Sequence, residues 1–202
     1  MSLRQQKMLR KKQEILRAAA EVLDEKGFHG ATMEEIASRL LMTQGSMYYY
    51  FKNKEDLLFQ CYIMIMDISL KKIKEIMEKA ITPTEKLKKA IESHIELAIT
   101  ERPIFSLMGH PDQIFSGEYL DKIIQLRSDY DRYFDKILDE GIQAKEFLEV
   151  DVKMTRLIIL GALNWVQQWY SPKGDKSKEE ITDIFSNYLL KIVLNHSPQK
   201  AM

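Results

Sequence analysis

Three short signatures constrain what this chain can fold into. Thr32 and Glu35, Thr82 and Glu85, and Ser177 and Glu180 each set a hydroxyl residue three positions ahead of a glutamate, just before an apolar-periodic run. In that spacing the hydroxyl accepts from the amide of the third helical residue while the carboxylate reaches back to the cap amide. Two of the donors that a helix start leaves open are satisfied together. Between such starts, apolar residues recur at intervals of three and four, and no alternating strand pattern runs longer than a few residues. The fold class that follows is all-α.

The same rules punctuate the rest of the chain. Residues 13–26 carry Ile15, Leu16, Ala19, Val22 and Leu23 at helical spacing, with Gly27 as the cap. A helix from Thr32 has Ile36, Ala37 and Leu40 on its inner face, and Leu41-Met42 makes a turn. Thr43 caps a short helix to about residue 51, and Asn53 caps a long one to about 80. Thr82-Pro83 starts a helix that runs to about 100 and is stopped by Pro103. Residues 104–117, broken by Gly109, Pro111 and Gly117, read as a short helix and a loop. A helix over 118–140 turns Leu120, Ile123, Ile124, Tyr130, Phe134, Ile137 and Leu138 inward, and Gly141 ends or bends it. Asp151 opens a helix to 170, and Ser177 opens the last, to about Asn195. The expected division is a helix-turn-helix module over 8–54 followed by a larger helical domain over 55–202.

Composition narrows the function classes. A chain of 202 residues, 45% hydrophobic, holds one or two domains with a substantial core. Its net charge of zero gives no whole-protein field toward nucleic acid. Charge is nevertheless uneven: residues 1–13 hold Arg4, Lys7, Arg10, Lys11 and Lys12 and no acid. That stretch reads either as a phosphate-contacting arm or as a solvated, frayed terminus. Cys61 is the single cysteine, so neither an intramolecular disulfide nor a cysteine zinc cluster can form, which suits a reducing cytosol. The start is polar and basic, unlike a signal peptide, and the apolar run over 157–166 is too short to span a bilayer. A cytoplasmic protein with no membrane partner is expected. His29, His94, His110 and His196 lack paired metal spacing, and there is neither a Gly-rich phosphate loop nor a G-x-S-x-G elbow. No catalytic constellation and no cofactor follow from the residues.

The chemistry concentrates between Thr32 and Leu57. The short helix after Thr43 carries Gln44, Gly45, Ser46, Tyr48 and Tyr49 where a buried helix would carry aliphatics. A helix that enters the major groove needs hydrogen-bonding side chains on its first turn, where Thr43, Gln44 and Ser46 stand. Gln44 can bond adenine bidentately, Gly45 leaves the backbone open to close approach, and the hydroxyls of Tyr48 and Tyr49 can reach phosphate. Met47 and Phe51, four apart, face the module's core. Lys54, at the start of the next helix, sits where ammonium and free amides favour a phosphate. Joint burial of Tyr48, Tyr49 and Tyr50 as packing aromatics is disfavoured, because three consecutive helical positions do not share a face; Tyr50 alone reads either as a packing aromatic or as a DNA contact.

These residues resemble the helix-turn-helix of the TetR family of one-component regulators. The resemblance rests on I-A at 36–37, M-T-Q-G-S-M-Y-Y-Y-F at 42–51, K-N-K-E-D-L at 52–57 and A-A-A-E-V-L-D-E-K-G-F at 18–28. It implies DNA contacts at Thr32, Thr43, Gln44, Gly45, Ser46, Tyr48, Tyr49 and Lys54. One departure stands out: Leu40-Leu41 occupies the turn where the family often has Ala-Gly. The resemblance further implies a homodimeric repressor on double-stranded operator DNA. Its two recognition helices would lie one DNA turn, about 34–36 Å, apart and be shifted by a small-molecule effector.

The helix over 156–170 is apolar on nearly all sides, which two packing surfaces would satisfy: its own domain and a partner subunit. The last helix offers Ile181, Ile184, Phe185, Tyr188, Leu189 and Ile192 as a stripe. A dimer through these two helices is expected; a monomer core is the alternative. Phe105, Met108, Tyr130, Phe134 and Trp165, with Asn164 and Gln168 as polar hooks, are the candidate effector-pocket residues. The segment G-A-L-N-W-V-Q-Q-W-Y-S-P-K-G at 161–174 is similar to one in a TetR subgroup, some of whose members respond to acyl-CoA thioesters. That likeness implies a CoA-linked effector, with Arg127, Arg132 and Arg156 as candidate phosphate ligands. The competing functional reading is a helical ligand-binding or interaction protein that does not bind DNA sequence-specifically.

Overall fold

In a computed structural model the described residues are 2–194, and they are helical almost throughout. The expected helix end at Asn195, and His196, lie outside them. The chain divides into two compact units. The first takes residues up to Ile68 and Glu101–Leu126; the second takes Ser69–Thr100 and the residues from Arg127 on. Two helices, α4 (Lys54–Met77) and α7 (Gly117–Gln143), contribute residues to both units.

The first unit begins earlier than its periodicity suggests. Helix α1 spans Leu3–Gly30, so the basic segment expected as arm or frayed end is ordered helix. Ser2 caps it, accepting from the Gln5 amide while the Gln5 side chain accepts from the Ser2 amide. Ile15, Leu16, Ala19, Ala20 and Leu23 form its buried stripe. Gly27 interrupts the helical backbone at φ +71°, a conformation that costs a glycine nothing. Helices α2 (Met33–Arg39) and α3 (Gln44–Tyr50) follow, with the Thr32–Glu35 box formed as spaced. Asn53 caps α4 by accepting from the Asp56 amide at 2.7 Å, and Asp56 accepts in return from the Lys52 amide at 2.9 Å. Helix α6 (Arg102–Ser106) packs on α1, where Arg17 forks onto Glu101 through contacts of 2.9–3.1 Å. Between α6 and α7 the chain makes a short 3-10 turn, Pro111–Gln113. Phe59 and Tyr62 of α4 meet Phe115 and Tyr119; Phe59 and Tyr119 stack at 4.1 Å. Ile124, expected inward, is 54% exposed, because the buried stripe of this part of α7 runs through Ile123 and Leu126.

In the second unit α5 (Pro83–Thr100) packs on both α8 (Val152–Trp169) and α9 (Lys178–Val193). Its stripe, Leu87, Ala90, Ile91, His94, Ile95 and Ala98, is buried. Gly141 does not end α7; the helix continues to Gln143. The glycine is there for packing. A Cβ on it would lie 2.6 Å from Phe147 Cγ and closer still to two other carbons of that ring. Phe147 in turn pairs with Leu194 in an isolated antiparallel bridge, and the Leu148 amide donates to the Val193 carbonyl at 2.8 Å. The end of α9 is thereby tied to the link between α7 and α8. Among the described residues, no helix is long and apolar enough to cross a membrane.

Candidate nucleic-acid interface and regulatory unit

The helix-turn-helix is built from α2 and α3. The Met42 amide donates to the Ala37 carbonyl at 2.9 Å and the Leu41 amide to Ser38 at 3.0 Å, which folds the chain back between the helices. Leu41 carries the turn at φ +53° and is 97% exposed. The leucine that replaces glycine therefore keeps the turn geometry at the expense of backbone strain, and its side chain packs against nothing.

Helix α3 is anchored from below by Met47 and Phe51, exposed 0% and 1%. Its other faces are open: Thr43, Gln44, Gly45 and Ser46 are all at the surface, as are Tyr48 and Tyr49. Thr43 accepts from the Ser46 amide at 3.2 Å, and the two hydroxyls lie 2.8 Å apart, so both are held at the helix start. A methyl added at Gly45 would meet only Thr43 Oγ1, at 4.0 Å, so nothing within the protein requires a glycine there. Tyr50 leans edge-on against Tyr49 at 5.2 Å and is half-buried. Thr32 stands exposed at the start of α2 with its hydroxyl engaged in the capping box.

Lys54 departs from the expected phosphate contact. Its ammonium donates to the Phe28 carbonyl and, at 2.6 Å, to the Ala31 carbonyl, and it lies 4.6 Å over the Phe28 ring. These carbonyls end α1, and a cation there is favoured by their partial charge. Lys54 thus braces the corner that leads into α2 and does not stand free at the surface.

The candidate effector-pocket residues divide between the units. Phe105 and Met108, both half-buried, belong to the first, where the Tyr62 hydroxyl donates to the Met108 carbonyl at 2.6 Å. In the second, Tyr130 and Phe134 are buried side by side, ring centroids 5.5 Å apart. Asn164 joins them through a residue that sequence reasoning passed over. His94 Nε2 lies 3.2 Å from Asn164 Oδ1, and His94 Nδ1 lies 3.2 Å from the Tyr130 hydroxyl. With Oδ1 accepting, Nε2 carries the proton and Nδ1 accepts from Tyr130. Burial drives the imidazole down to about 4, so it is neutral, and pushes the Tyr130 phenol above its usual range. Three helices, α5, α7 and α8, meet at this ring. The signal for His94 was its place in the i, i+3, i+4 stripe of α5. Trp165 and Gln168 do not join the cluster; both are exposed on α8, Trp165 by 64%.

The three arginines considered for phosphates sit among carboxylates. Arg156 pairs with Asp135 and lies 3.8 Å from Asp131. Burial raises the Asp131 carboxyl above its usual range, with help from the neighbouring Asp135 carboxylate and against the pull of Arg156 and Arg127. Arg132 pairs with Asp129. Beside it, Leu70, Lys74, Tyr133 and Lys136 complete a groove of about 270 Å³ that holds three cations and one carboxylate.

Met154, Leu157, Ile158, Trp165 and Trp169 of α8 and Tyr188 and Ile192 of α9 are exposed by 36–66%. Trp169 stacks on half-buried Phe185 of α9 at 6.0 Å, a contact between the two helices. The five on α8 recur at helical spacing on one face, more than scattered surface leucines would make.

A helix-turn-helix with an exposed polar recognition helix, carried in one chain with a helical unit that has an uncovered apolar face, defines a DNA-binding regulator. The sequence profile described as "Bacterial regulatory proteins, tetR family" matches residues 15–61, and that of "Tetracyclin repressor-like, C-terminal domain" matches 80–193. The chain belongs to the TetR family of transcriptional regulators. It is 31% identical over 152 residues to the fatty acid metabolism regulator protein of Bacillus subtilis (strain 168), covering 75% of this chain and 78% of that protein. The structure of the TetR family regulator PfmR from Thermus thermophilus matches it at a TM-score of 0.80 and 26% identity, over 88% of this chain and 97% of that one. AibR, solved in complex with isovaleryl coenzyme A and operator DNA, matches at 0.79 and 25% identity, over 89% and 97%.

Proposed function

We propose that this protein is a homodimeric repressor that reads a palindromic operator with α3 and releases it on binding an acyl-CoA. The observation that carries the DNA reading is the exposed, uncharged first turn of α3, held in place by buried Met47 and Phe51. Thr43, Gln44, Gly45 and Ser46 meet base edges; Tyr48, Tyr49 and Thr32 meet phosphate. Lys54 acts one step back, bracing the α1–α2 corner. Because the base-reading segment is neutral, discrimination rests on hydrogen bonds and shape.

The dimer forms through α8 and α9. Apolar side chains exposed on both helices support it, since water contact with two tryptophans is costly and a twofold partner removes it. The effector reading rests on the relatives: one regulates fatty acid metabolism, and AibR is solved with isovaleryl coenzyme A. In this chain the His94–Tyr130–Asn164 cluster would meet the acyl or thioester end, and Lys74, Arg132 and Lys136 supply cations for phosphates.

The test is a selection on genomic DNA fragments with purified protein, with and without an acyl-CoA series. A palindromic site that Gln44→Ala weakens by more than about thirtyfold, the cost of two lost bidentate base contacts at about 1 kcal/mol or more each, and that an acyl-CoA releases, supports the reading. Binding without sequence preference, unaffected by Gln44→Ala, sinks it. Trp165→Arg should convert the dimer to monomer in sedimentation; a dimer that persists removes the α8–α9 interface.

A further inference from the structure

The first three turns of α1 are ordered helix beyond the part of α1 that packs as core, and the DNA-reading residues do not account for them. Their inward stripe, Gln5, Met8, Leu9 and Lys12, continues the core stripe of Ile15, Leu16 and Ala19 at the same spacing. It does not close onto the protein. With Tyr49 and Tyr50 of α3 it walls an open groove of about 500 Å³, and Met8 and Leu9 stay 53% and 46% exposed. The extension therefore faces Tyr49 and Tyr50 of α3 across this groove.

Charge identifies what this surface meets. Residues 2–13 hold five cations and no acid in a chain whose net charge is zero. Arg4, Lys7 and Lys11 follow the i, i+3, i+7 spacing, so they form one exposed ridge flanking the groove stripe. Lys11 reaches Glu14 at 3.4 Å, a pair exposed on both sides. Lys12 is held by Gln60 at 3.1 Å and steers the groove wall.

We propose that this extension is a second DNA-contacting surface. The ridge of Arg4, Lys7 and Lys11 takes the phosphate backbone where it leaves Tyr49, outside the bases that α3 reads. It rests on the operator reading of α3 and adds affinity without sequence information. The occupant is duplex DNA because a cationic ridge, whose one acidic neighbour is the exposed Glu14, flanks a groove that Tyr49 of α3 also lines and complements a strand carrying a charge at every nucleotide.

The triple variant Arg4→Gln/Lys7→Gln/Lys11→Gln tests it, since glutamine keeps helix propensity and the sites are exposed. Operator affinity is measured on the full-length dimer across a series from about 50 to about 300 mM salt. Each lost phosphate contact lowers the magnitude of the log–log salt slope by about 0.9, so about 5 should disappear from a dimer. Base preference, read by competition with mutated operators, should stay unchanged, and hydroxyl-radical footprints should shorten at both flanks. A variant with unaltered melting temperature, slope and footprint overturns the proposal. If Gln44→Ala still weakens the wild-type operator complex in that case, the α3 reading survives and only the ridge fails. A wild-type protein without any operator overturns both.

Discussion

Replacing Gly141 with alanine sets two physical effects against each other. In an exposed helix interior the change gains about 1 kcal/mol of helix propensity. At 141 the new methyl would stand 2.6 Å from Phe147 Cγ and closer to its neighbours, so the ring must leave. Phe147 is 4% exposed, and displacing a buried phenylalanine costs on the order of what deleting it does, about 3–5 kcal/mol. The net expectation is a loss of about 2–4 kcal/mol. Urea denaturation at fixed protein concentration measures it. The double variant Gly141→Ala/Phe147→Leu should recover part of the loss, because the smaller side chain makes room, giving a coupling energy above about 1 kcal/mol. A Gly141→Ala protein as stable as wild type, or two additive substitutions, would refute the packing explanation and return Gly141 to a mere bend in α7.

Other substitutions probe other sites. Leu41→Gly should stabilise by about 0.5–1 kcal/mol: relief of a left-handed backbone is worth about 1–2, glycine's unfolded-state entropy returns part, and a 97% exposed side chain loses no burial. A lower melting temperature would show that Leu41 is not strained. His94, neutral with its pKa near 4 against an ordinary 6.5, binds a proton in the unfolded chain before it does in the folded one. Stability should therefore fall as pH drops from about 6.5 to 4, by about 3 kcal/mol at most, and His94→Gln should flatten that part of the profile. An unchanged slope in the variant would mean that another group is responsible. Burial pushes the Cys61 thiol up to about 12, so Ellman's reagent should label it only on unfolding; rapid labelling of native protein would contradict its burial.

Local chemistry was written in the sequence. The boxes at Thr32, Thr82 and Ser177, and the caps at Thr43, Asn53 and Asp151, announced where helices begin, because a cap needs only residues within one turn of itself. The buried pair Met47 and Phe51 and the open faces of α3 followed from helical spacing alone. The family was legible by resemblance, because its motifs all lie within the first 61 residues.

What the sequence left undecided depended on residues distant in the chain. Gly141 looks like a helix stop until Phe147 is seen against it, since its use lies in a ring six residues away that folds back. Lys54 carries the same charge whether it meets phosphate or carbonyl; only the position of Phe28 and Ala31 turns it inward. His94 becomes a junction because α7 and α8 bring Tyr130 and Asn164 to its two nitrogens. Ile124 and Trp165 share the composition of buried positions yet lie exposed, because the direction of a helix face is set by what packs against it. Capping and periodicity are properties of a single helix and belong to the sequence. Partner choice for a charge, an imidazole or an apolar face is a property of the tertiary arrangement, and there the structure decided.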